Sequence, residues 1–207
     1  KVKAGDLAKG VNPKRQKVDI RATTLDVLFP AYLAERKGKI AESLQHLPKD
    51  LEGKPTVGLL LLRSYLLAGN ALHYDAVIEA IESRGLCVIP AFASGLDSRP
   101  AIENFFLQNG KSKIDALVSL TGFSLVGGPA YNDAHAAEEI LGKLDVPYIA
   151  AHPVEFQTLD QWGGSSRGLL PVESTIMVAI PELDGSTSPM VFGGRVSPLT
   201  TRMLTKR

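Results

Sequence analysis

Two short stretches concentrate side chains that can handle protons or hard cations. "PELDG", residues 181–185, sets Glu182 and Asp184 between Pro181 and Gly185. "HPVE", residues 152–155, sets His152 three positions before Glu155. Carboxylates this close can accept protons or replace water around a hard cation. Both stretches also have a plain reading. Pro and Gly punctuate turns, and Asp before Gly is ordinary turn chemistry. The His–Glu pair can simply hydrogen-bond its own loop. The apolar run "IMVAI" just before PELDG adds one expectation: burial that desolvates Glu182 and raises its pKa.

Other residues invite narrower chemistry. "LVGGPAYND", residues 125–133, follows an apolar run and precedes a helical pattern. Amides at a helix N-terminus can meet an anion. Yet there is no Walker A spacing, no Lys-Ser/Thr pair and no GxGxxG, so nucleotide binding is not expected. Gly127 and Gly128 read better as a wall that lets backbone approach a flat ligand or a neighbouring domain. Trp162, beside Gly163 and Gly164, can stack on a planar ligand or anchor a long loop. Arg63 and Arg99 can each grip a carboxylate bidentately, or pair with the chain's own Asp97 or Asp75. The four histidines, His46, His73, His135 and His152, form no short ligand motif. His46 reads as a helix-surface residue, and His73 and His135 as surface or capping residues in first helical turns. Cys87 lies in "LCVIPAF", where a buried, inert thiol is expected. It can form no internal disulfide, and a reducing compartment fits. No Ser-His-Asp or Cys-His order with a nucleophile turn is evident.

These residues need elements to position them. "TVGLLLL" (56–62), "LCVIPAF" (86–92), "IDALVSL" (114–120) and "VPYIAA" (146–151) are short apolar runs, as buried parallel strands are. Between them lie the helical patterns 70–85, 98–110 and 132–144. The caps fit: Asn70, Ser98 and Asn132 or Asp133 at the starts, Gly85 and Gly110 at the ends. Such alternation predicts an α/β fold, with a parallel sheet of four or five strands flanked by helices in three Rossmann-like layers. Ligands then gather outside the carboxyl ends of the strands. That places the loops Arg63–Asn70, Ala91–Arg99, Thr121–Asn132 and His152–Gly168 at the site. Residues 1–20 read as an extended arm, followed by helix from Thr24 to Leu33 and again over Lys39–Leu47. "TLDQW" (158–162) suits one helical turn, and "PMVFGGR" (189–195) a further strand. Pro171 suits the start of a helix, while "IMVAI" fits helix or strand equally. The expected division is an arm and helical segment (1–54), an α/β domain (55–180), and the PELDG turn with a connection onward (181–207).

Totals bound the function. A net charge of +1 over 207 residues gives no reason to expect a nucleic-acid or membrane-surface binder. No stretch reaches the roughly 18 apolar residues of a membrane span. The chain opens on Lys1 rather than Met, so an internal piece of a longer protein is expected.

Three long stretches together resemble one family. They are "LLLLRSYLLAGNALHYDAVIEAIESRGLCVIPAFASGLDSRPAIENFF", "SLTGFSLVGGPAYNDAHAAEEILGKLDVPYIAAHPVEFQTLDQWGGSSRGLLPV" and "VAIPELDGSTSPMVFGGR". They resemble the large porphyrin-binding subunit of magnesium chelatase, with the cobaltochelatase large subunit as a more distant relative. The likeness covers roughly residues 18–195 and runs through loops as well as strands. Its wording is nearer the bacteriochlorophyll-pathway form than the chloroplast form. The resemblance implies a fragment of a subunit that binds protoporphyrin IX and is the place of insertion of Mg²⁺, the substrate ion. It implies two AAA+ partner subunits that hydrolyse ATP, which is then not bound here, and contacts with other domains of the same subunit. It implies the bacterial cytoplasm, or the chloroplast for a plant source. It carries over Glu182 and Asp184 as catalytic candidates, with Glu182 also a candidate metal ligand. His152, Glu155, Trp162, Gly127 and Gly128 follow as porphyrin-binding candidates. The alternative is a non-catalytic scaffold or docking domain, or a cobaltochelatase-type subunit.

Overall fold

A computed structural model describes residues 31–35, 39–41, 53–196 and 203–205. Along the chain come β1 (Ala31–Glu35), β2 (Lys39–Ala41), β3 (Thr56–Leu60), α1 (Arg63–Leu67), α2 (Leu72–Glu82) and β4 (Cys87–Ala93). Next are α3 (Arg99–Ala101), which runs into a π-helical turn at Ile102–Phe106, and the small β5 (Leu107–Gln108) and β6 (Lys111–Ser112). Then follow β7 (Ala116–Ser119), α4 (Ala134–Leu144), β8 (Tyr148–Thr158) and α5 (Leu159–Gly164). The final elements are α6 (Pro171–Glu173), a π-helical stretch Ser174–Ala179, α7 (Ile180–Leu183), β9 (Thr187–Arg195) and β10 (Met203–Thr205).

The apolar run at residues 56–62 becomes the middle of the sheet because it is buried on both faces. β3 pairs in parallel with β4 and with β7, in registers Gly58↔Ile89 and Gly58↔Leu117. β7 pairs in parallel with β8, and β8 with β9. The parallel block is thus β9-β8-β7-β3-β4, and the full sheet reads β10-β9-β8-β7-β3-β4-β1-β2. Successive strand residues point to opposite faces. Leu59 joins a cluster with Tyr74, Ile78, Phe92 and Leu120 under α2. Its neighbour Leu60 joins the other cluster, with Ile102, Phe106, Leu117 and Ile140 under α3 and α4. Two cores on one sheet give the three layers that the alternation implied. Cys87 is buried in β4.

Three expectations change. Residues 31–33 and 39–41, read as helical, fall in strands: β1 runs antiparallel to β4, with Ala31 opposite Ala93, and β2 runs antiparallel to β1. Ladder bonds along the edge of β4 outweigh a weak local period. The rest of the expected arm and its two helices, including His46, lies outside the described residues. Second, β8 runs on to Thr158 instead of ending at Ala151. Register shifts at Ile149/Ala151, His152/Pro153 and Val154/Thr158 accommodate Pro153, which has no N–H to give the ladder. His152 and Glu155 therefore lie within a strand and not in a loop. Third, the sheet crosses both expected boundaries, since β1, β2, β9 and β10 all belong to it. The ambiguous "IMVAI" is helical, in a run that Pro171 opens.

Candidate functional site

The carboxyl ends of the strands bring together a group that local sequence does not. Tyr65 leaves β3 on α1, Glu155 stands late in β8, and Arg195 closes β9. The Tyr65 hydroxyl donates to Glu155 Oε1. Glu155 is half-buried. Burial pushes its carboxyl above the usual range. The bond from Tyr65 and the Arg195 charge pull it back, and Glu173 adds to the rise. Tyr65 is itself pushed up, first by burial and then by the Glu155 charge. Beside Tyr65 the ring of His73 lies tilted against Tyr74, at 3.9 Å, and stacked on Phe192, at 5.9 Å.

His73 is thus not the surface or capping residue expected; it is 0% exposed. Its first-turn position on α2 happens to face the sheet. Burial lowers its pKa from 6.5 to about 4, with the Asn70 backbone pulling weakly the other way. Between those values the unfolded chain binds more protons than the folded one. Stability is therefore full above about 6.5 and falls as pH drops towards about 4, by up to about 3 kcal/mol. We expect His73→Phe, which keeps the stack, to flatten this acid-side loss. Thermal melts at pH 7 and pH 5 check it, and identical pH dependence in both proteins would refute it.

PELDG is a helix end. Glu182 lies on α7 and Asp184 is its C-cap. The two carboxylates part company. Asp184 is 2% exposed and accepts from Leu125 N at 2.6 Å and from Asn132 Nδ2 at 2.5 Å. It ties the end of α7 to the loop between β7 and α4. Burial raises its pKa, and the bonds from Leu125 and Asn132 partly offset the rise. Glu182 is exposed, so the desolvation expected from "IMVAI" does not occur in this structure. That helical run buries Met177 and Pro181 while turning Glu182 outward.

PELDG also lies apart from HPVE. The helical run 171–183 leads away from the carboxyl end of β8 to the amino end of β9, and PELDG lies at its far end. Glu155 lies near the end of the β8–β9 ladder that closes with Thr158 opposite Arg195, whereas PELDG precedes the end that opens with Ile149 opposite Thr187.

The remaining candidates separate further. His152 is 1% exposed, packed beside Gly122, so it is not the cleft-edge residue expected. Burial lowers its pKa, and Nδ1 has no hydrogen-bond partner among the described residues. Gly127 and Gly128 have φ of +115° and +92°. A Cβ on Gly127 would meet the Tyr131 carbonyl at 2.5 Å, and one on Gly128 would meet Leu96 Cδ1 at 2.8 Å. Both positions demand glycine for the loop's own fold. Trp162 is half-buried on α5, a helix whose start is fixed by reciprocal bonds of Thr158 and Gln161. Arg99 pairs with Asp97 at 2.6 Å, the local alternative foreseen for it. Arg63 opens α1. His135 is an exposed surface residue beside Glu139, as expected.

Sequence reasoning passed over Glu173. It is 0% exposed and accepts from Phe156 N (3.1 Å), Gln157 Nε2 (2.6 Å) and Leu170 N (3.0 Å). It pins the first turn of the 171–183 run to the end of β8. The signal was available: Pro171 marks the helix start, and an acid at the third position reaches back to the N-cap. Tyr65 and Arg195 carried no local signal at all. Among the described residues no group of three or more His, Cys, Asp or Glu side chains is placed to hold a metal ion. Nor is any helix among them long and apolar enough to cross a membrane. The arrangement offers one tuned carboxylate at the carboxyl edge and one exposed carboxylate at the end of α7.

The chain resembles known proteins along almost its whole length. The family described as CobN/Magnesium Chelatase matches residues 17–206. A magnesium-chelatase subunit from Cereibacter sphaeroides is 62% identical over 157 residues, which are 76% of this chain and 13% of that protein. The chloroplastic magnesium-chelatase subunit ChlH of Oryza sativa subsp. indica is 48% identical over 143 residues, 68% of this chain and 10% of that protein. Among solved structures, the catalytic subunit of cobaltochelatase from Mycobacterium tuberculosis superposes with a TM-score of 0.54 at 27% identity, covering 75% of this chain and 13% of that one. The chain thus spans little more than a tenth of the length of these relatives. On the family match and the 62% identity, the chain belongs to the CobN/magnesium chelatase family.

Proposed function

We propose that this chain is a segment of the large porphyrin-binding subunit of an ATP-dependent magnesium chelatase, which inserts Mg²⁺ into protoporphyrin IX. The identity to the Cereibacter sphaeroides protein, 62% against 48% for the rice protein, supports this reading and favours the bacteriochlorophyll-pathway form. Such a subunit works with two AAA+ subunits that bind and hydrolyse ATP, in the bacterial cytoplasm or, for a plant source, in the chloroplast. The remaining domains of the large subunit complete the site.

Insertion releases two pyrrole protons and strips water from an ion that gives it up reluctantly. Glu182 is the carboxylate that takes a proton or holds the ion as a replacement ligand. Its exposure on α7 supports this, since an acceptor must be reachable. Asp184 acts as its positioning residue through Leu125 and Asn132. Trp162 on α5 and Glu155 on β8 are candidates for a separate porphyrin contact, since they stand at the other end of β8 from PELDG, with the Gly127–Gly128 loop as a further candidate and His152 as buried packing. The test is insertion by the full complex, followed by porphyrin fluorescence, with Mg²⁺ and with Co²⁺. Turnover with Mg²⁺ supports the reading. Turnover with Co²⁺ alone replaces it with the cobaltochelatase one.

A second reading has its own support. Tyr131, Leu183 and Met190 are 64%, 68% and 48% exposed. Large apolar side chains left open suit a scaffold face covered by other domains. In the full-length protein, we expect Trp162→Phe to reduce the tryptophan quenching seen on porphyrin titration. Unchanged quenching and unchanged affinity would favour the scaffold reading.

A further inference from the structure

Three loops meet at the Leu125 peptide. Its carbonyl accepts from Ser98 N at 3.0 Å, and its N–H donates to Asp184 Oδ2 at 2.6 Å. Asn132 Nδ2 donates to the other Asp184 oxygen at 2.5 Å. The loop after β4, the loop after β7 and PELDG are thereby clamped together. We infer that one face of the porphyrin lies on this junction, with Leu96, Tyr131 and Leu183 against the apolar plane and Arg99 holding a propionate carboxylate at the edge. This deepens the function proposed above and rests on it.

Each of the three segments leaves one large apolar side chain open: Leu96 after β4, Tyr131 after β7 and Leu183 in PELDG. One such residue is ordinary on a protein surface, but three converging on one junction make a patch. Leu183 precedes Asp184 and Tyr131 precedes Asn132, so the Asp184–Asn132 bond draws both to the same place. Leu96 and Tyr131 pack on neighbouring residues. A Cβ on Gly127 would come within 2.6 Å of Tyr131 Cδ1, and one on Gly128 within 2.8 Å of Leu96 Cδ1. The two glycines thus let the ring and the leucine lie against loop backbone while their outer faces stay open. Side chains already seated lose little freedom when a ligand covers them.

The polar groups at the junction favour a small ligand over a covering domain. Arg99 follows Leu96 by three residues and pairs with Asp97 through Nε and Nη2. Its Nη1 lies outside that pair, and a guanidinium has donors enough for a second carboxylate. Glu182 is exposed beside Leu183. A protein domain laid over the patch would bury that charge, which is costly without a partner. A macrocycle that brings Mg²⁺ to it supplies the partner. A flat apolar seat with a cation at its edge and an acid beside it therefore matches a planar, dicarboxylic tetrapyrrole. The ring's other face is left to the rest of the subunit, since the matched residues are only 13% of the Cereibacter sphaeroides protein. Contact at Trp162, at the other end of β8 from PELDG, is a second and separate one.

The test uses the full-length subunit carrying Tyr131→Ala, Leu183→Ala or Arg99→Gln. Fluorescence titration gives the Kd for protoporphyrin IX and for its dimethyl ester, which lacks both carboxylate charges. Tyr131→Ala and Leu183→Ala should each weaken binding of both porphyrins about fivefold or more, because each removes apolar surface from the seat. Arg99→Gln should weaken protoporphyrin IX about fivefold or more and leave the dimethyl ester within about twofold. Kd values within about twofold of wild type in both apolar variants overturn the inference. So does an equal loss for the two porphyrins in Arg99→Gln. Thermal melts of the porphyrin-free subunit separate the remaining case: affinity lost together with several degrees of melting temperature means that protein, not porphyrin, covers the patch, and this also overturns it. All three results leave the chelatase reading standing if the wild-type complex inserts Mg²⁺. A wild-type subunit that binds no porphyrin overturns the chelatase reading, and this inference falls with it.

Discussion

Glu182→Gln in the full chelatase complex should lower kcat for Mg²⁺ insertion by roughly 10²-fold or more, with folding intact. The substitution keeps size and hydrogen-bonding reach but removes the charge. A neutral amide can neither accept a proton at neutral pH nor replace water around Mg²⁺ with comparable strength. Glu182 is exposed on α7, so little of the fold depends on it and misfolding should not mask the result. Porphyrin binding should survive, because the affected group meets the ion or a proton rather than the macrocycle's apolar faces. Rising Mg²⁺ concentration should partly restore the rate if the residue is an ion ligand, and should not if it acts only as a base. Near-normal kcat in a folded protein would remove Glu182 from the machinery.

The second large effect is structural. Glu173→Ala removes the acceptor for three donors, Phe156 N, Gln157 Nε2 and Leu170 N, at a position with no solvent access. Each buried donor left unpaired costs about 1–3 kcal/mol. Some will find alternatives, so a local loss of about 3–5 kcal/mol is expected. Glutamine rescues poorly, because it offers one acceptor oxygen where the carboxylate uses two. The loss falls on the junction of β8 with the 171–183 run and not evenly over the chain. Amide hydrogen exchange across residues 154–173 is therefore the proper readout. It should accelerate on the order of 10²-fold or more, since each 1.4 kcal/mol is worth about tenfold. Protection equal to wild type would mean that the 171–183 run holds its place without Glu173.

Function should fall with that loss. The same run carries Glu182 at its far end, so loosening its first turn loosens the carboxylate it presents. Glu173→Ala should reduce turnover even though Glu173 lies at the opposite end of the run.

Four strands of the parallel block, β3, β4, β7 and the start of β8, were readable because each is a short apolar run bounded by turn or cap residues. A strand buried on both faces has little choice of composition. α4 was readable from Asp133, whose side chain accepts from Ala136 N, and α5 from the Thr158–Gln161 pair. β1 and β2 were not readable. Their pairing energy comes from the edge of β4, over fifty residues downstream of β1 at the Ala31–Ala93 pair, and no local pattern records it. The true length of β8 was hidden by Pro153, which reads as a strand breaker until bulges make room for it.

The site divides along the same line. The types and spacing in PELDG fixed two carboxylates at a turn, and the long wording shared through loops fixed the family. Which carboxylate faces water was beyond sequence. Asp184 and Glu182 are two residues apart, and a rotation of about 200° between them at helical spacing separates a buried anchor from an exposed acid. The Tyr65–Glu155–Arg195 group was equally beyond reach, since its members lie ninety and forty residues apart in sequence. Sequence determines what each position can offer and which elements form. Only the packing of parallel strands, which sets distant chain segments side by side, decides which offers meet and which are covered.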